Sequence, residues 1–357
     1  MDQTLVITGT HLTPACELIE QLRADKQFRW KIIYLGRRYN SLSPVPSIES
    51  IVIPRKKIKF YGLDCGKFDR KSIKTTLKGL PLIFKGICQA FKILKEEKPN
   101  IIISFGGYVS VPVIIAGWLL KIPSITHEQT PTLSLATRIN SFFVNQIALS
   151  FSHPGLKKAV VTGNLLRREL TNHHKKLFLT QNKTLIYVTA GNQGSHFLNN
   201  LIKITLPKLN DFYIIHQTGN IDYHEYKKLE RQYSNYRVYS YLSDSIVGSV
   251  FYQAEIIISR AGANTSQEIV ALKKKSILIP LPFSQQNEQL LNAQFVRQQL
   301  PDRTIIIPQS EINPAILVKT IKSLLLIAPY KLKPIKPNLK LLKLIQSLCK
   351  KRLKSLE

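Results

Sequence analysis

The sequence predicts two doubly wound α/β domains in tandem, and three observations carry that prediction. Short apolar runs of strand type alternate with helix-period segments along nearly the whole chain, which argues for parallel sheets covered on both faces. The alternation breaks once, at a polar stretch (TNHHKKLFLTQNK) that starts at Thr171. Glycine-rich or polar motifs fall directly after apolar runs, and open α/β sheets bind ligands outside the carboxyl ends of their strands.

In chain order, residues 4–8 read as the first strand, Gly9 to Pro14 as a loop, residues 15–25 as an amphipathic helix and 31–35 as the next strand. The IVIP run at Ile51 reads as strand-like, and a lysine-rich region follows with helical spacing over 73–94. Residues 101–105, 124–127 and 146–151 are further strands, with helices starting at Val111 and Leu133. Residues 101–120 are uncharged and long enough to span a membrane, yet Gly106, Gly107 and Pro112 divide them into strand, turn and helix, so they read as buried.

The first domain is expected to cover 1–165 and a linker 166–183. A second series of strands at 185–189, 212–216, 236–241, 255–259, 276–280 and 304–307 forms a domain over 184–328. In the basic tail, 329–357, Leu341, Leu344, Ile345, Leu348 and Leu356 make an apolar stripe among lysines, the pattern of a helix that caps a neighbouring domain. Two such domains on one linker are expected to enclose a cleft.

Of 357 residues, 44% are hydrophobic and 20% charged, enough for a core in each domain. Lys+Arg 51 against Asp+Glu 22 gives a formal charge of +29. Such a surplus points to a polyanion, an anionic membrane or phosphorylated substrates, although a general drift toward Lys, Ile and Asn yields it without any partner. No nucleic-acid-binding module is recognisable, so nucleic acid is not expected. Cys16, Cys65, Cys88 and Cys349 have no paired spacing, which speaks against a zinc site or disulfide framework and for reducing cytosol. The start, MDQTLVITGT, lacks a basic n-region and is not expected to be a signal peptide.

The most informative stretch begins at Ile256. An apolar run stops at Arg260-Ala261-Gly262-Ala263, and a helical pattern starts at Asn264 or Thr265 with Glu268 on its first turn. N–H groups and the dipole at a helix start attract an anion such as a diphosphate. A carboxylate one turn further on suits a vicinal diol such as a ribose. Together they suggest a nucleoside diphosphate, although Thr265-Ser266-Gln267-Glu268 also fits a capping box.

Four other strand ends carry comparable signals: Thr8-Gly9-Thr10-His11, Phe105-Gly106-Gly107-Tyr108, His127-Glu128-Gln129 and Gly191-Asn192-Gln193-Gly194. Histidine suits proton transfer near neutral pH. A polar cluster at Gln285-Gln286-Asn287-Glu288-Gln289 has amides suited to sugar hydroxyls.

These loops in this order resemble glycosyltransferase family 28, in its branch of bacterial N-acetylglucosaminyltransferases of peptidoglycan assembly. The matching segments are TGTHLTPA at Thr8, FGGYVSVP at Phe105, HEQ at His127, VTGNLLR at Val161, GNQG at Gly191, HQTG at His216, and SRAGANTSQE with PLPFSQQNEQLLNA. The resemblance runs from Leu5 to about Gln309.

It implies a GT-B fold of two Rossmann-like domains, with UDP-GlcNAc as donor and lipid I, on the anionic inner face of the cytoplasmic membrane, as acceptor. It implies no cofactor and no donor-site metal. By position, Glu268 would hold the ribose, the backbone near Leu242 the uracil, and Ala263, Asn264 and Thr265 with Asn192 the diphosphate. Ser266, Gln267, Thr130 and Arg167 would lie at the donor, and Gln289 would reach the transferred sugar. His11 would be the base for the acceptor hydroxyl, with Glu128 as a second catalytic group. Thr8, Gly9 and Thr10 would line the acceptor side within reach of the donor, beside Tyr108 and His127. Leu77, Leu80, Leu82, Ile83 and Phe84 with Lys74, Lys78, Lys85 and Trp118 would form a membrane-facing patch.

The chain also departs from the family pattern. Its first loop is ITGTH where GGTGGH is usual, with Thr10 in place of a glycine beside His11; Thr130 replaces an asparagine, Val111 a glycine and Asn192 a serine. These changes bear on acceptor-diphosphate binding and on sugar choice. Rival readings are a GT-B enzyme with another sugar or lipid acceptor and a UDP-GlcNAc 2-epimerase.

Overall fold

The computed structural model describes residues 2–39, 46–66, 73–153, 155–170, 178, 180, 182–284, 287–330 and 335–354; side chains of 73–80, 244–245 and 353–354 lie outside the description. The chain divides into two compact units, Met1–Leu165 with Asn338–Glu357, and Leu166–Pro337.

Unit 1 runs β1 (Asp2–Thr8), α1 (Leu12–Arg23), β2 (Arg29–Arg37), α2 (Ile48–Arg55), β3 (Lys59–Leu63), α3 (Ile73–Glu97), β4 (Ile101–Ser104), α4 (Ser110–Leu119), β5 (Ser124–Glu128), α5 (Leu135–Phe143), β6 (Gln146–Leu149) and β7 (Ala159–Val161). Unit 2 runs β8 (Thr184–Thr189), α6 (His196–Thr205), β9 (Phe212–Gln217), α7 (Tyr223–Lys227), β10 (Tyr236–Tyr239), α8 (Asp244–Gln253), β11 (Ile256–Ser259), α9 (Ala263–Ala271), β12 (Lys275–Leu278), α10 (Glu288–Gln299), β13 (Thr304–Ile306) and α11 (Pro314–Leu325). A last helix, α12 (Lys340–Lys354), belongs to unit 1.

Both sheets are parallel throughout, in the orders β3-β2-β1-β4-β5-β6-β7 and β10-β9-β8-β11-β12-β13. The direction of strand addition reverses between β1 and β4 in one sheet and between β8 and β11 in the other. Open α/β sheets bind ligands at such a switch point. In unit 1 the loops there are Gly9–His11 and Gly106–Tyr108; in unit 2 they are Ala190–Ser195 and Arg260–Gly262.

Strand alternation divides the core of unit 1 in two. Leu5, Ile7, Ile101 and Ile103 share one cluster with Leu18 and Ile19 of α1, whereas Val6, Ile33 and Ile102 share another with Leu94 of α3 and Val113 of α4. The α12 side chains Leu341, Leu342, Ile345 and Cys349 are buried in the first cluster, with Leu344 and Leu348 packed against it; Leu356 lies outside the described residues. Polar ties hold this helix as well: Gln346 Nε2 donates to both Asp25 carboxylate oxygens at 3.0 Å, and Arg352 Nη1 donates to Asn100 O at 2.8 Å.

Several sequence expectations are corrected here. The IVIP run is helical, not extended: Ser47 Oγ caps α2 by accepting from Ser50 N–H, and Glu49 in its first turn pairs with Arg37. A β-branched triplet too short to show a period hid that helix. Strand β3 had been absorbed into the lysine-rich region. Helix α1 begins at Leu12, so His11 is its cap residue. Helix α9 begins at Ala263 after Gly262, which places Glu268 on its second turn. Ile83 is buried and leaves the proposed surface patch; Leu82 and Phe84 are exposed, while Lys74, Leu77, Lys78 and Leu80 have side chains outside the described residues.

Both tryptophans, Trp30 and Trp118, belong to unit 1, so their fluorescence reports its unfolding alone. Ile345→Ala is expected to lower the stability of unit 1 by roughly 2–5 kcal/mol, the cost of a cavity in a packed core. Urea titration followed by tryptophan emission measures it; an unchanged midpoint would mean that α12 does not complete this core.

Candidate functional site

In unit 2 the strand ends at the switch point are tied together by Arg260, directly after β11. Its Nη1 donates to Ile279 O at 3.0 Å and Pro280 O at 3.3 Å, beyond β12. Nη2 donates to Ser195 Oγ at 3.1 Å, at the start of α6, and to Gln309 Oε1 at 2.6 Å, beyond β13. The guanidinium also lies over the Phe197 ring at 5.4 Å. Four strand ends are thereby fixed by one planar donor set.

The turn after β8 is built with equal economy. Gly194 has φ +80°, and a Cβ there would meet Thr218 O at 1.9 Å, so only glycine permits this approach. Thr189 Oγ1 accepts from Gly191 N–H at 3.1 Å, and Gln217 Nε2 donates to Gly191 O at 3.0 Å. Behind it His216 is fully buried between Asn199 Oδ1 (3.0 Å from Nε2) and the Tyr236 hydroxyl (2.7 Å from Nδ1). Asn199 Nδ2 in turn donates to Thr218 O, so the imidazole supports the strand end against which Gly194 packs. Burial pushes the His216 pKa down to about 3.

Helix α9 starts in the open. Gly262 supplies no capping side chain, and a Cβ added there or at Gly191 would meet nothing within 4 Å. The first turn of α9, Ala263 to Thr265, is half-buried next to this space, and a helix start of that kind favours an anion. Asn192 is half-buried beside the glycine turn, and Gln267 is half-buried on α9.

Glu268 is 1% exposed, and its Oε1 lies 2.7 Å from Arg167 Nε. The contact is an ion pair with poor hydrogen-bond alignment, and neither carboxylate oxygen has a hydrogen-bond partner among the described residues. Burial raises the pKa of Glu268, with Arg167 opposing it. The capping-box alternative is excluded, because Thr265 is not the cap residue. A buried acid with unsatisfied acceptors behind an open helix start is suited to a ligand that brings hydroxyl donors. Ser266, also buried, has an Oγ without a partner among the described residues.

Leu242 lies in the core, with its N–H directed to Gln217 Oε1 at 3.4 Å. Gln289 uses Oε1 to accept from Leu281 N–H at 3.0 Å. Gln285 and Gln286 fall outside the described residues.

In unit 1 the two switch-point loops touch. Gly9 has φ +131°, and a Cβ there would come within 2.8 Å of Gly106 O; Thr10 N–H donates to that same oxygen at 3.1 Å. Tyr34 OH donates to Gly9 O at 3.0 Å. Thr8 is fully buried, its Oγ1 without a partner among the described residues.

His11 keeps part of its ring in solvent, yet dense surroundings lower its pKa; Glu128 opposes the shift and Arg37 adds to it. The imidazole is therefore neutral near pH 7 and able to accept a proton. His127, 1% exposed, packs against Phe105 and has Nε2 3.0 Å from Gly163 O, which fixes the proton on Nε2. Burial pushes its pKa down to about 4.

Glu128, expected to be catalytic, is held by donors of its own loop. Its Oε1 accepts from Gln129 N–H (3.0 Å), Thr130 N–H (3.3 Å) and Thr130 Oγ1 (2.9 Å), and Oε2 accepts from Ser134 N–H (2.9 Å). Burial alone would raise its pKa, but hydrogen bonds from Thr137, Ser134 and Thr130 outweigh it and hold the group ionised. Glu128 builds the loop that leads into α5 and has little capacity left for a proton. Thr130 serves the same loop, its Oγ1 also lying 2.7 Å from Thr132 O.

Sequence reading missed Arg37, Glu49 and the role of Arg260. Arg37 Nε lies 2.6 Å from Glu49 Oε1 and Nη2 3.1 Å from Oε2. Tyr108 is half-buried near Arg37; burial raises its pKa and the Arg37 charge opposes the rise. The only trace of this pair in the sequence is an arginine at a strand's carboxyl end.

Comparison with known proteins gives concordant results. The glycosyltransferase family 28 N-terminal domain matches residues 5–149, and the family's C-terminal domain matches residues 185–347. The UDP-N-acetylglucosamine--N-acetylmuramyl-(pentapeptide) pyrophosphoryl-undecaprenol N-acetylglucosamine transferase of Clostridium perfringens is 33% identical over 342 residues, 90% of this chain and 89% of that protein. Among solved structures, MurG of Acinetobacter baumannii is similar with a TM-score of 0.65 at 21% identity, over 97% of this chain and 99% of that one. The UDP-GlcNAc 2-epimerase of Neisseria meningitidis, bound to UDP-GlcNAc, reaches 0.64 at 15% identity, over 98% and 100%. At these identities the structural likenesses speak for the fold alone.

The His216 environment generates a pH prediction. An unfolded histidine binds its proton near pH 6.5, whereas His216 resists protonation until about pH 3. The unfolded state therefore takes up more protons between those values, and stability falls as pH drops through that window. His216→Gln is expected to flatten this acid dependence in unit 2, read as denaturation midpoints by circular dichroism from pH 7 to 4. An equally steep loss in the variant would contradict a buried neutral His216.

Proposed function

The chain belongs to glycosyltransferase family 28, and from that premise we propose that it transfers N-acetylglucosamine from UDP-GlcNAc to the C4 hydroxyl of undecaprenyl-diphosphate-MurNAc-peptide, lipid I, to give lipid II. The fold is GT-B, two Rossmann-like domains. The donor belongs to unit 2 and the lipid-linked acceptor to unit 1. One observation supports the donor half above others: the buried Glu268 carboxylate, with unsatisfied oxygens, behind the open start of α9. A ribose supplies the hydroxyl donors that those oxygens lack. The diphosphate one turn nearer meets the amides of Ala263, Asn264 and Thr265, with Asn192 beside it.

The chemistry then needs little more. As the sugar–phosphate bond breaks, negative charge grows on the leaving UDP, and fixed N–H dipoles at the start of α9 stabilise it without reorganising. His11, neutral at working pH, takes the proton of the C4 hydroxyl as that oxygen attacks the opposite face of the sugar, which gives inversion. Arg167 stays beside Glu268, and its charge opposes the rise in pKa that burial imposes on the ribose-binding carboxyl group. The backbone at Leu242 holds the uracil, and Gln289, through the amide nitrogen left by its bond to Leu281, reaches the sugar. Tyr108 and the loop Gly9–Thr10 border the acceptor side, with the buried Thr8 and His127 behind them.

The acceptor is a membrane lipid, and unit 1 carries the means to meet it. Leu82, Phe84, Trp118, Leu119 and Phe142 are exposed, and the chain is strongly basic. No helix of the described residues is long and apolar enough to cross a membrane. Each lysine or arginine near an anionic leaflet contributes about 1 kcal/mol, so a few of them with an apolar patch suffice for reversible attachment to the inner face of the cytoplasmic membrane.

Transfer of labelled GlcNAc to a short-chain lipid I analogue tests this reading. Glu268→Gln is expected to raise KM for UDP-GlcNAc by roughly ten- to a hundredfold, the loss of charge-assisted hydrogen bonds. His11→Ala is expected to lower kcat by about 10²–10⁴ while UDP affinity persists. Turnover of UDP-GlcNAc to its 2-epimer without acceptor would instead identify an isomerase.

A further inference from the structure

Arg37 closes β2 at the carboxyl edge of the first sheet, next to the β1 end that carries Gly9–His11. Its partner Glu49 is fully buried in the first turn of α2, while the Arg37 side chain keeps 17% of its surface in solvent. The fork engages Nε and Nη2, so the Nη1 edge lies outside it. Burial works against the charge on Arg37, and the Glu49 hydrogen bonds and charge more than offset it, so the guanidinium stays protonated. Tyr108 of the second switch-point loop and His11 both lie near enough to feel the Arg37 charge, which acts to lower the pKa of each.

In the first loop Thr10 N–H is already committed to Gly106 O, and Thr10 stands where the family pattern has a glycine. A diphosphate on the acceptor side therefore gains from a charged donor on a neighbouring element. We infer that Arg37 is that donor: it binds the diphosphate of the lipid acceptor through its outer edge, with Glu49 fixing the guanidinium plane and Tyr108 flanking it. This inference rests on the transferase reading above. It adds a residue outside every motif that carries the family resemblance.

Arginine suits the task because its planar fork serves two acceptors at once, a carboxylate on one edge and phosphate oxygens on another. A lysine keeps the charge and loses the second edge. That difference separates binding from mere anchoring of α2.

The test uses the full chain and the variants Arg37→Met and Arg37→Lys. Arg37→Met is expected to raise KM for a lipid I analogue by about tenfold or more, with KM for UDP-GlcNAc unchanged, and Arg37→Lys to recover part of the loss. With a muramyl-peptide on a neutral aglycone, native protein and variants are expected to have the same KM. Pyrophosphate titrated calorimetrically into protein saturated with UDP is expected to bind at least fivefold more weakly to Arg37→Met. Equal KM values for the charged acceptor, or equal losses for charged and neutral acceptors, would overturn the inference and leave Arg37 as an anchor for α2. If the native protein transfers nothing, the function proposed above fails, and the pyrophosphate titration still decides the role of Arg37.

Discussion

A single buried guanidinium, that of Arg260, ties together the strand ends of the second unit. A parallel sheet delivers its strand ends to one edge but does not fix the loops beyond them. Arg260 supplies that order by bonding carbonyls beyond β12, a hydroxyl at the start of α6 and an amide beyond β13. Nη1 and Nη2 of this buried cation meet four acceptors, while Nε has no partner among the described residues, so the clamp is made by the outer edge of the guanidinium. The position of α9, three residues further along the chain, inherits that rigidity, and so do the amides of its first turn.

Two ion pairs show how burial is used in opposite senses. In unit 2 the acid of the Arg167–Glu268 pair is buried and retains unsatisfied oxygens, which suits a ligand that donates hydrogen bonds. In unit 1 the acid of the Arg37–Glu49 pair is consumed by its partner, and the base keeps an open edge, which suits an anion. Glu128 represents a third case, an acid saturated by its own loop and therefore spent as structure. The number of donors already at a carboxylate, more than its place in a motif, separates these roles.

The alternation of strands and helices and the strand-end motifs were legible in the sequence because parallel sheets impose both. Helix α2 was not, since Ile51-Val52-Ile53 has strand propensity and its helix depends on a cap at Ser47 and an ion pair to β2. Glu268 stood out in the sequence, but the register of its helix did not, because Gly262 and Thr265 are both acceptable starts until the chain is folded. Arg37, Glu49 and the clamp made by Arg260 join elements distant in sequence, and no local pattern announces such partners. Glu128 looked catalytic because a polar triplet at a strand end gives no account of which donors surround it.

The central claim is that Glu268 reads the ribose of a uridine nucleotide, and a double-mutant cycle on the ligand tests it most directly. Calorimetric affinities of UDP and 2′-deoxy-UDP would be compared in the native protein and in Glu268→Gln. Removing the hydroxyl is predicted to cost the native protein roughly tenfold or more in affinity and the variant almost nothing, since the partner is already impaired. Equal losses in both proteins would contradict the account and place the ribose elsewhere.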